Sequence, residues 1–311
     1  MGVSMPRRPA TEVPTPYPDH LRDMVEAYLE ELDFAAADPV EREEMAGTEG
    51  LVEAMRHSLL AGGKRMRPVL ALATAEALGH RAEELLPAAA AIELVHTYSL
   101  IHDDLPAMDD DALRRGRPTC HVLFGEDTAI LAGDALFAEA VRLVAERQPG
   151  GPAVQVGMLL EISRATGVGG MVGGQYLDLT DAGRESASAL RRVHALKTGR
   201  LMSCAVHCAL VLARPPEAVD RALRRYAREL GLLFQIVDDI LDVEGSEADL
   251  GKAVGADERM GKVTYVSVHG LEGARRRASE AHARALAALA EVPGPTEDLV
   301  GITDLTFVRT H

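Results

Sequence analysis

From Asp19 onward, apolar residues recur at helical spacing, so the predicted elements are helices. Leu21, Met24, Val25, Tyr28, Leu29 and Leu32 form the first such stripe. Glu43 to Leu60 predicts a second helix, ended by the glycine pair Gly62 and Gly63. Val69 to Gly79 and Glu84 to His102 are strongly apolar and alanine-rich, a composition suited to close helix packing. The stretch after Cys120 predicts one or two core helices closed by Gly150, Gly151 and Pro152, and Leu271 to Leu289 predicts an amphipathic helix. Residues 1–18 are rich in proline and lack apolar periodicity, so they read as a disordered arm. Nothing in residues 19–311 reads as a linker, and one large domain is expected there.

Two acidic clusters stand out against this pattern. Between Ile92 and Pro118, Asp103, Asp104, Asp109, Asp110 and Asp111 are followed closely by Arg114, Arg115 and Arg117. Carboxylates so crowded repel one another unless a cation sits among them, and a hard divalent ion such as Mg²⁺ takes oxygen ligands. With guanidinium groups next to it, such an ion can hold a diphosphate. A single Asp-rich run is ordinarily a solvated loop; a second cluster changes that reading. In FQIVDDILDVEG, Asp238, Asp239 and Asp242 fall within about 100° of one another on a helix, and Asp238 and Asp242 are one turn apart. Uncompensated, they would destabilise that helix. Two such ends facing each other would make a multi-metal cage open to a bridging diphosphate. Pro106 cannot continue the helix before it, which is how Asp109 can turn back toward Asp103.

Basic residues are concentrated rather than abundant. In GGKRMRP (62–68), the glycines let the backbone approach an anion while Lys64 and Arg67, three apart, project on one side. His96, seven residues before Asp103, lies two turns away on the same helix face. The glycines of GVGGMVGGQYLD (167–178) lack the Gly-Lys-Ser/Thr ending of a phosphate loop and read as admitting close helix approach. Cys204, His207 and Cys208 share a face of a core-like helix; zinc sites usually draw ligands from separated pairs, so no zinc is expected.

A formal charge of −15 argues against nucleic-acid and anionic-membrane partners. Three cysteines give no disulfide framework, and apolar runs are broken by charge short of a membrane span. A soluble cytoplasmic protein without stable membrane insertion is expected. At 4% aromatics and no tryptophan, a terpene cyclase, which folds a carbocation against aromatic walls, is disfavoured.

The paired DDxxxxD and DDxxD motifs, with GGKRMRP, resemble the trans-isoprenyl diphosphate synthase (polyprenyl synthetase) family, most closely its bacterial farnesyl type, over about Asp19 to Arg309. The resemblance implies an all-α isoprenoid synthase fold around a central cavity, a homodimer, and dependence on Mg²⁺, three ions with substrate bound. It implies head-to-tail condensation of isopentenyl diphosphate with dimethylallyl or geranyl diphosphate. In that reaction diphosphate leaves an allylic carbon, charge on the departing oxygens is stabilised electrostatically, and released pyrophosphate takes the last proton. By the same resemblance, Asp103, Asp109 and Asp238 bind metal, with Asp104, Asp239 and Asp242 alongside. Lys64, Arg67, His96 and Arg115 hold isopentenyl diphosphate, and Arg114 and Lys197, the latter in a Lys197-Thr198-Gly199 element, hold the allylic diphosphate. Gln175 and Gln235 line the site, and Lys252 and Lys262 of a GK…D…GK pattern cap the phosphates. Ala112 stands where the family often has another aspartate, and the family's basic C-terminal lid is reduced here to Arg309 and His311.

Product length follows from the helix before Asp103. Each turn advances about 5.4 Å, close to one isoprene unit, so residues one to one and a half turns below the metals set the floor. Ser99 leaves room; Tyr98 is bulky and matches the family's chain-limiting aromatic. Farnesyl diphosphate is therefore the expected main product, ahead of geranylgeranyl diphosphate. Against this, Tyr98 lies about 140° around the helix from Asp103 and could pack between helices. A non-catalytic subunit of such a synthase is the remaining alternative, and the intact acidic and basic positions count against it.

Overall fold

A computed structural model describes residues 16–34, 43–180, 187–244 and 264–308. Among them the helices are α1 (Asp19–Glu30), α2 (Glu49–Leu59), α3 (Met66–Ala77), α4 (Leu86–Asp103), α5 (Cys120–Phe124), α6 (Glu126–Arg147) and α7 (Pro152–Thr166). They continue with α8 (Met171–Leu179), α9 (Ala187–His194), α10 (Arg200–Ala213), α11 (Glu217–Glu244), α12 (Tyr265–His269), α13 (Leu271–Leu289) and α14 (Glu297–Val308). The all-α expectation holds. Lys252, Lys262, Arg309 and His311 lie outside the described residues, as does most of the N-terminal arm. Residues 16–18 of that arm are not free of the domain: the Tyr17 hydroxyl donates to the Lys64 carbonyl at 2.6 Å, and Pro18 is buried.

The α4 helix is the axis of the molecule. Its residues from Leu86 to Val95 are all buried, because alanines at 88–91 let α3 and α6 approach it closely. Behind α3, α10 packs between it and α7, and α11 lies along α13. Residues Ala189–Ala213 make one helical run long and apolar enough to cross a bilayer. Ala205, Val206, Cys208 and Ala209 of that run are buried in the protein core, which explains the apolarity. Cys204 and Cys208 lie 4.0 Å apart in that core, while His207 turns outward to Glu161 at 3.0 Å, so the three do not converge on a metal.

Two local features were not predicted. Leu113–Arg114 pairs antiparallel with Arg117–Pro118, the turn between them formed by Arg115 and Gly116, both at positive φ (53° and 73°). Positive φ at both central residues is the geometry of a tight two-residue hairpin. The other feature is a π-helical segment, Ala195–Gly199, joining α9 to α10. Such segments insert an extra residue into a helix and re-aim the side chains that follow.

Candidate active site

The C-terminal half of α4 forms one wall of a cavity of about 390 Å³. His96, Ser99, Asp103 and Tyr98 line it from that helix, Arg67 from α3, Gln175 from α8, and Lys197 and Thr198 from the π segment. Met108, Met171, Val172, Tyr176 and Leu179 complete the lining with apolar surface, and Val172, Tyr176 and Leu179 are also exposed to solvent. Nothing in the sequence pattern singled out those apolar wall residues. Val172, Tyr176 and Leu179 sit at helical spacing, the one signal that could have marked them.

At the end of α4 the chain folds back as Pro106 predicts. The Asp109 amide donates to the Asp103 carbonyl at 2.9 Å and the Asp110 amide to Leu105 at 3.1 Å. Burial, with Asp109 and Asp104 nearby, pushes the Asp103 carboxyl up to about 6 against the pull of Lys197 and Arg114. Asp104 takes no part in the cavity wall. It is buried and accepts from Arg114 Nε at 2.7 and 2.9 Å on its two oxygens, so these two predicted site residues engage each other.

The basic groups divide differently from the sequence expectation. Arg65, at φ 49°, is buried and bonded to Glu26 and Glu93 at 2.8 Å each and to the Leu59 carbonyl at 2.7 Å. It is a structural clamp between α1, α3 and α4. Arg67 faces the cavity and its buried Nε has no hydrogen-bond partner. Lys64 is exposed and does not line the cavity with it. Arg115, at the hairpin tip, donates to the Gly62 carbonyl and lies so close to Gly63 (φ 126°) that a β-carbon there would sit 2.7 Å from the guanidinium. Gly63 is thus required twice, for its backbone angle and for Arg115. Burial, then Arg67, Arg115, Arg114 and Arg65, hold His96 well below its ordinary range, so its ring is neutral.

Opposite α4, Lys197 Nζ pairs with Asp178 at 2.7 Å. Burial would lower its pKa, and Asp178, Asp103 and Asp109 together outweigh burial and raise it. Asp178 closes the glycine-rich stretch, and its spacing gave no hint of this pairing. The glycines act as predicted: a β-carbon on Gly174 would lie 2.2 Å from the Lys197 amide nitrogen, so α8 and the π segment touch backbone to backbone. Gln175, next to it, has both side-chain polar atoms buried without a partner.

The second acidic cluster does not line this cavity among the described residues. Asp239 is buried and accepts the Tyr265 amide at 2.7 Å and Gln235 Nε2 at 3.3 Å, capping α12. Asp242 is buried and Asp238 half-buried. Gln235, expected in the first cavity, lines a second one instead. Among the described residues, the one set of three carboxylate or imidazole groups with ligand atoms within 4.8 Å of one another is His20, Glu76 and Asp298, away from both clusters.

Tyr98 lines the cavity below Asp103 and meets two other rings edge-on, His102 at 5.7 Å and Phe137 of α6 at 5.6 Å. It therefore does both things the helical wheel set against each other: it packs between α4 and α6 and also faces the cavity. His102 fits because α6 carries Gly133, where a β-carbon would lie 2.2 Å from its Nε2.

A profile of the polyprenyl synthetase family matches residues 48–296. The farnesyl diphosphate synthase of Geobacillus stearothermophilus is 43% identical over 300 residues, 92% of this chain and 98% of that one. The geranylgeranyl diphosphate synthase of Cyanophora paradoxa is 44% identical over 231 residues, 73% of this chain and 77% of that one. A crystal structure of a geranyltransferase from Legionella pneumophila superposes with a TM-score of 0.79 at 31% identity, covering 94% of this chain and 95% of that one. With a family match over most of its length, relatives of this identity along nearly the whole chain, and the same helical architecture around a cavity, the chain belongs to the polyprenyl synthetase family.

Proposed function

We propose that this protein is a short-chain trans-prenyltransferase that condenses isopentenyl diphosphate with dimethylallyl and geranyl diphosphates, giving mainly farnesyl diphosphate. The observation that carries the product length is Tyr98, set below Asp103 in the cavity wall and braced by His102 and Phe137. A tail descending from Asp103 meets a held ring, which stops growth after two additions. The matches to farnesyl diphosphate synthases of Haemophilus influenzae and Bacillus subtilis, 45% and 44% identical, support the same product.

The residues present suit Mg²⁺. Burial disfavours the ionised form of the Asp103 carboxyl, a situation that a hard cation relieves, and the returning Asp109 offers further oxygen ligands beside it. Asp103 and Asp109 would hold it, with Asp238 of the second cluster the third ligand that the family resemblance implies, and it would neutralise charge on the departing diphosphate. Lys197, kept protonated by Asp178 and Asp103, adds a fixed positive charge on the same side. Arg67 has a buried donor without a partner, which an incoming diphosphate oxygen would satisfy. Met108 and Met171 present apolar, water-excluding surface to the allylic cation. Arg114, the arginine assigned to the allylic diphosphate, is oriented by Asp104 and lines a smaller neighbouring hollow rather than the first cavity.

A homodimer is the assembly we propose. Ile130, Leu131, Phe137 and Val141 of α6 are large, apolar and exposed, a stripe suited to a second copy of this chain. Purified protein incubated with Mg²⁺, dimethylallyl diphosphate and isopentenyl diphosphate tests the reading: a fifteen-carbon main product supports it, and a twenty-carbon one replaces it with the geranylgeranyl alternative.

A further inference from the structure

A second cavity, of about 400 Å³, lies on the other side of the π segment and shares no lining residue with the first. Ala195 and Gly199 face it, whereas Lys197 and Thr198 of the same segment face the first cavity. Gly231 of α11 closes the gap between the two elements, its β-carbon position 3.4 Å from the Gly199 Cα. The charge around this second cavity is unusual for a chain of net −15. Arg191, Arg200 and Arg228 all line it, from α9, α10 and α11, and no carboxylate does among the described residues. Each of the three is exposed, and none makes an ion pair or side-chain hydrogen bond among the described residues, whereas arginines such as Arg65, Arg114, Arg142 and Arg224 do. Three guanidinium groups on three helices around one hollow repel one another, a repulsion that an anion in the hollow would relieve.

The floor is of another character. Ala227, Gly231, Leu232 and the ring of Tyr265 give it an apolar side, beside the polar Ser203, His194 and Gln235, with Tyr265 buried and tilted against His194 at a ring-centroid distance of 5.8 Å. A cationic rim over a partly apolar floor is complementary to a molecule with an anionic head and an apolar body. We propose that this cavity binds an amphipathic anion, a phosphate-type head on a hydrocarbon chain, with Arg191, Arg200 and Arg228 on the head and Leu232 and Tyr265 against the chain. An occupant would press on the five-residue segment that carries Lys197 and Thr198, which gives it a lever on the first cavity.

Isothermal titration calorimetry of the full-length protein with dodecyl phosphate, with Mg²⁺ and pyrophosphate saturating the first cavity, tests this. One site per chain is expected. Arg200→Gln combined with Arg228→Gln should weaken it about a hundredfold, roughly tenfold for each guanidinium–phosphate hydrogen bond removed. Arg67→Gln, in the first cavity, should leave it unchanged, and inorganic phosphate should bind at least about tenfold more weakly than dodecyl phosphate because it cannot use the floor. Both arginines are exposed, so the double variant should melt with the wild type, and Arg200→Lys with Arg228→Lys should recover part of the affinity. Absence of a saturable site in the wild type, wild-type affinity in the double Gln variant, loss of the site in Arg67→Gln, or equal affinity for inorganic phosphate would each overturn the proposal.

Discussion

Gly174 of α8 touches the backbone of Lys197 so closely that a β-carbon on it would lie 2.2 Å from the lysine amide nitrogen. The lysine that faces the cavity is thus aimed by a glycine on a neighbouring helix. Gly174→Ala should push α8 away from the π segment, with an overpacking cost of about 1–3 kcal/mol and a lower melting temperature. On the proposed role of Lys197 at the departing diphosphate, kcat should fall more than KM rises. An alanine variant with wild-type kcat would show that the close approach does not position Lys197.

Asp104 and Arg114 are a test of structure against chemistry. Arg114→Ala leaves Asp104 buried without its partner, and the loss should be about 2–3 kcal/mol, below the range for fully buried pairs because Arg114 is one-third exposed. Asp104→Ala should cost a similar amount, and the double variant should be less destabilised than the sum, by a coupling energy of about 1 kcal/mol or more in a denaturant double-mutant cycle. Additive effects would remove the pair as a structural unit.

Removing the acidic clusters should affect turnover and spare the fold. Asp103→Ala or Asp238→Ala should lower kcat by several orders of magnitude at saturating Mg²⁺, while the melting temperature holds or rises, since a buried or crowded carboxylate is lost. Near-normal turnover in either variant would dispose of the metal-cage reading. The Asp238 arm carries the greater weight, because its helix end does not reach the first cavity among the described residues.

Tyr98→Ala removes the ring between His102 and Phe137 and opens the cavity toward α6. The product should lengthen to twenty carbons or more, read by chromatography of the dephosphorylated alcohols, with a stability cost of about 2–3 kcal/mol since the ring is only partly buried. Tyr98→Phe should keep both length and stability, because the tyrosine acts through its bulk. An unchanged profile in the alanine variant would leave the floor to other residues.

His96 makes stability depend on pH. Its folded pKa lies well below 6.5, held there by burial and four arginines, so below pH 6.5 the unfolded chain binds the proton that the folded chain refuses. Stability should therefore fall as pH drops through this window, by up to about 1.4 kcal/mol per pH unit from this group. In His96→Gln the slope between pH 6.5 and 5 should be shallower by that amount, measured by denaturant melts at fixed ionic strength. A slope equal to that of the wild type would mean that His96 titrates normally in the folded chain.

Much of this protein is determined by local sequence. Apolar spacing sets where helices run, to within a few residues, as Met66–Ala77 against the expected Val69–Gly79 shows. Pro106 ends α4 and sends Asp109 back to Asp103, because proline cannot continue the hydrogen-bond ladder. Alanines at 88–91 announce a buried helix, and the glycines at 170–174 announce close approach. The acidic clusters, too, are visible without any structure, since like charges at such density need an explanation.

What tertiary structure decided is the partner of each charged side chain. GGKRMRP carries three cations in four residues, and spacing alone cannot say that Arg65 is clamped by Glu26 and Glu93 while Arg67 alone faces the cavity. That outcome depends on α1 and α4, many residues away in sequence. Arg114 is turned to Asp104 by a two-residue hairpin, and Lys197 is aimed by a π segment and held by Asp178. Tyr98 could be placed on its helix by a wheel, yet whether it faced the cavity or a neighbouring helix depended on α6, whose Gly133 admits His102 and whose Phe137 braces the ring. Electrostatic and packing energies act through space at a few ångströms, whereas the helical repeat acts along the chain, so one is legible in sequence and the other only once the helices are packed.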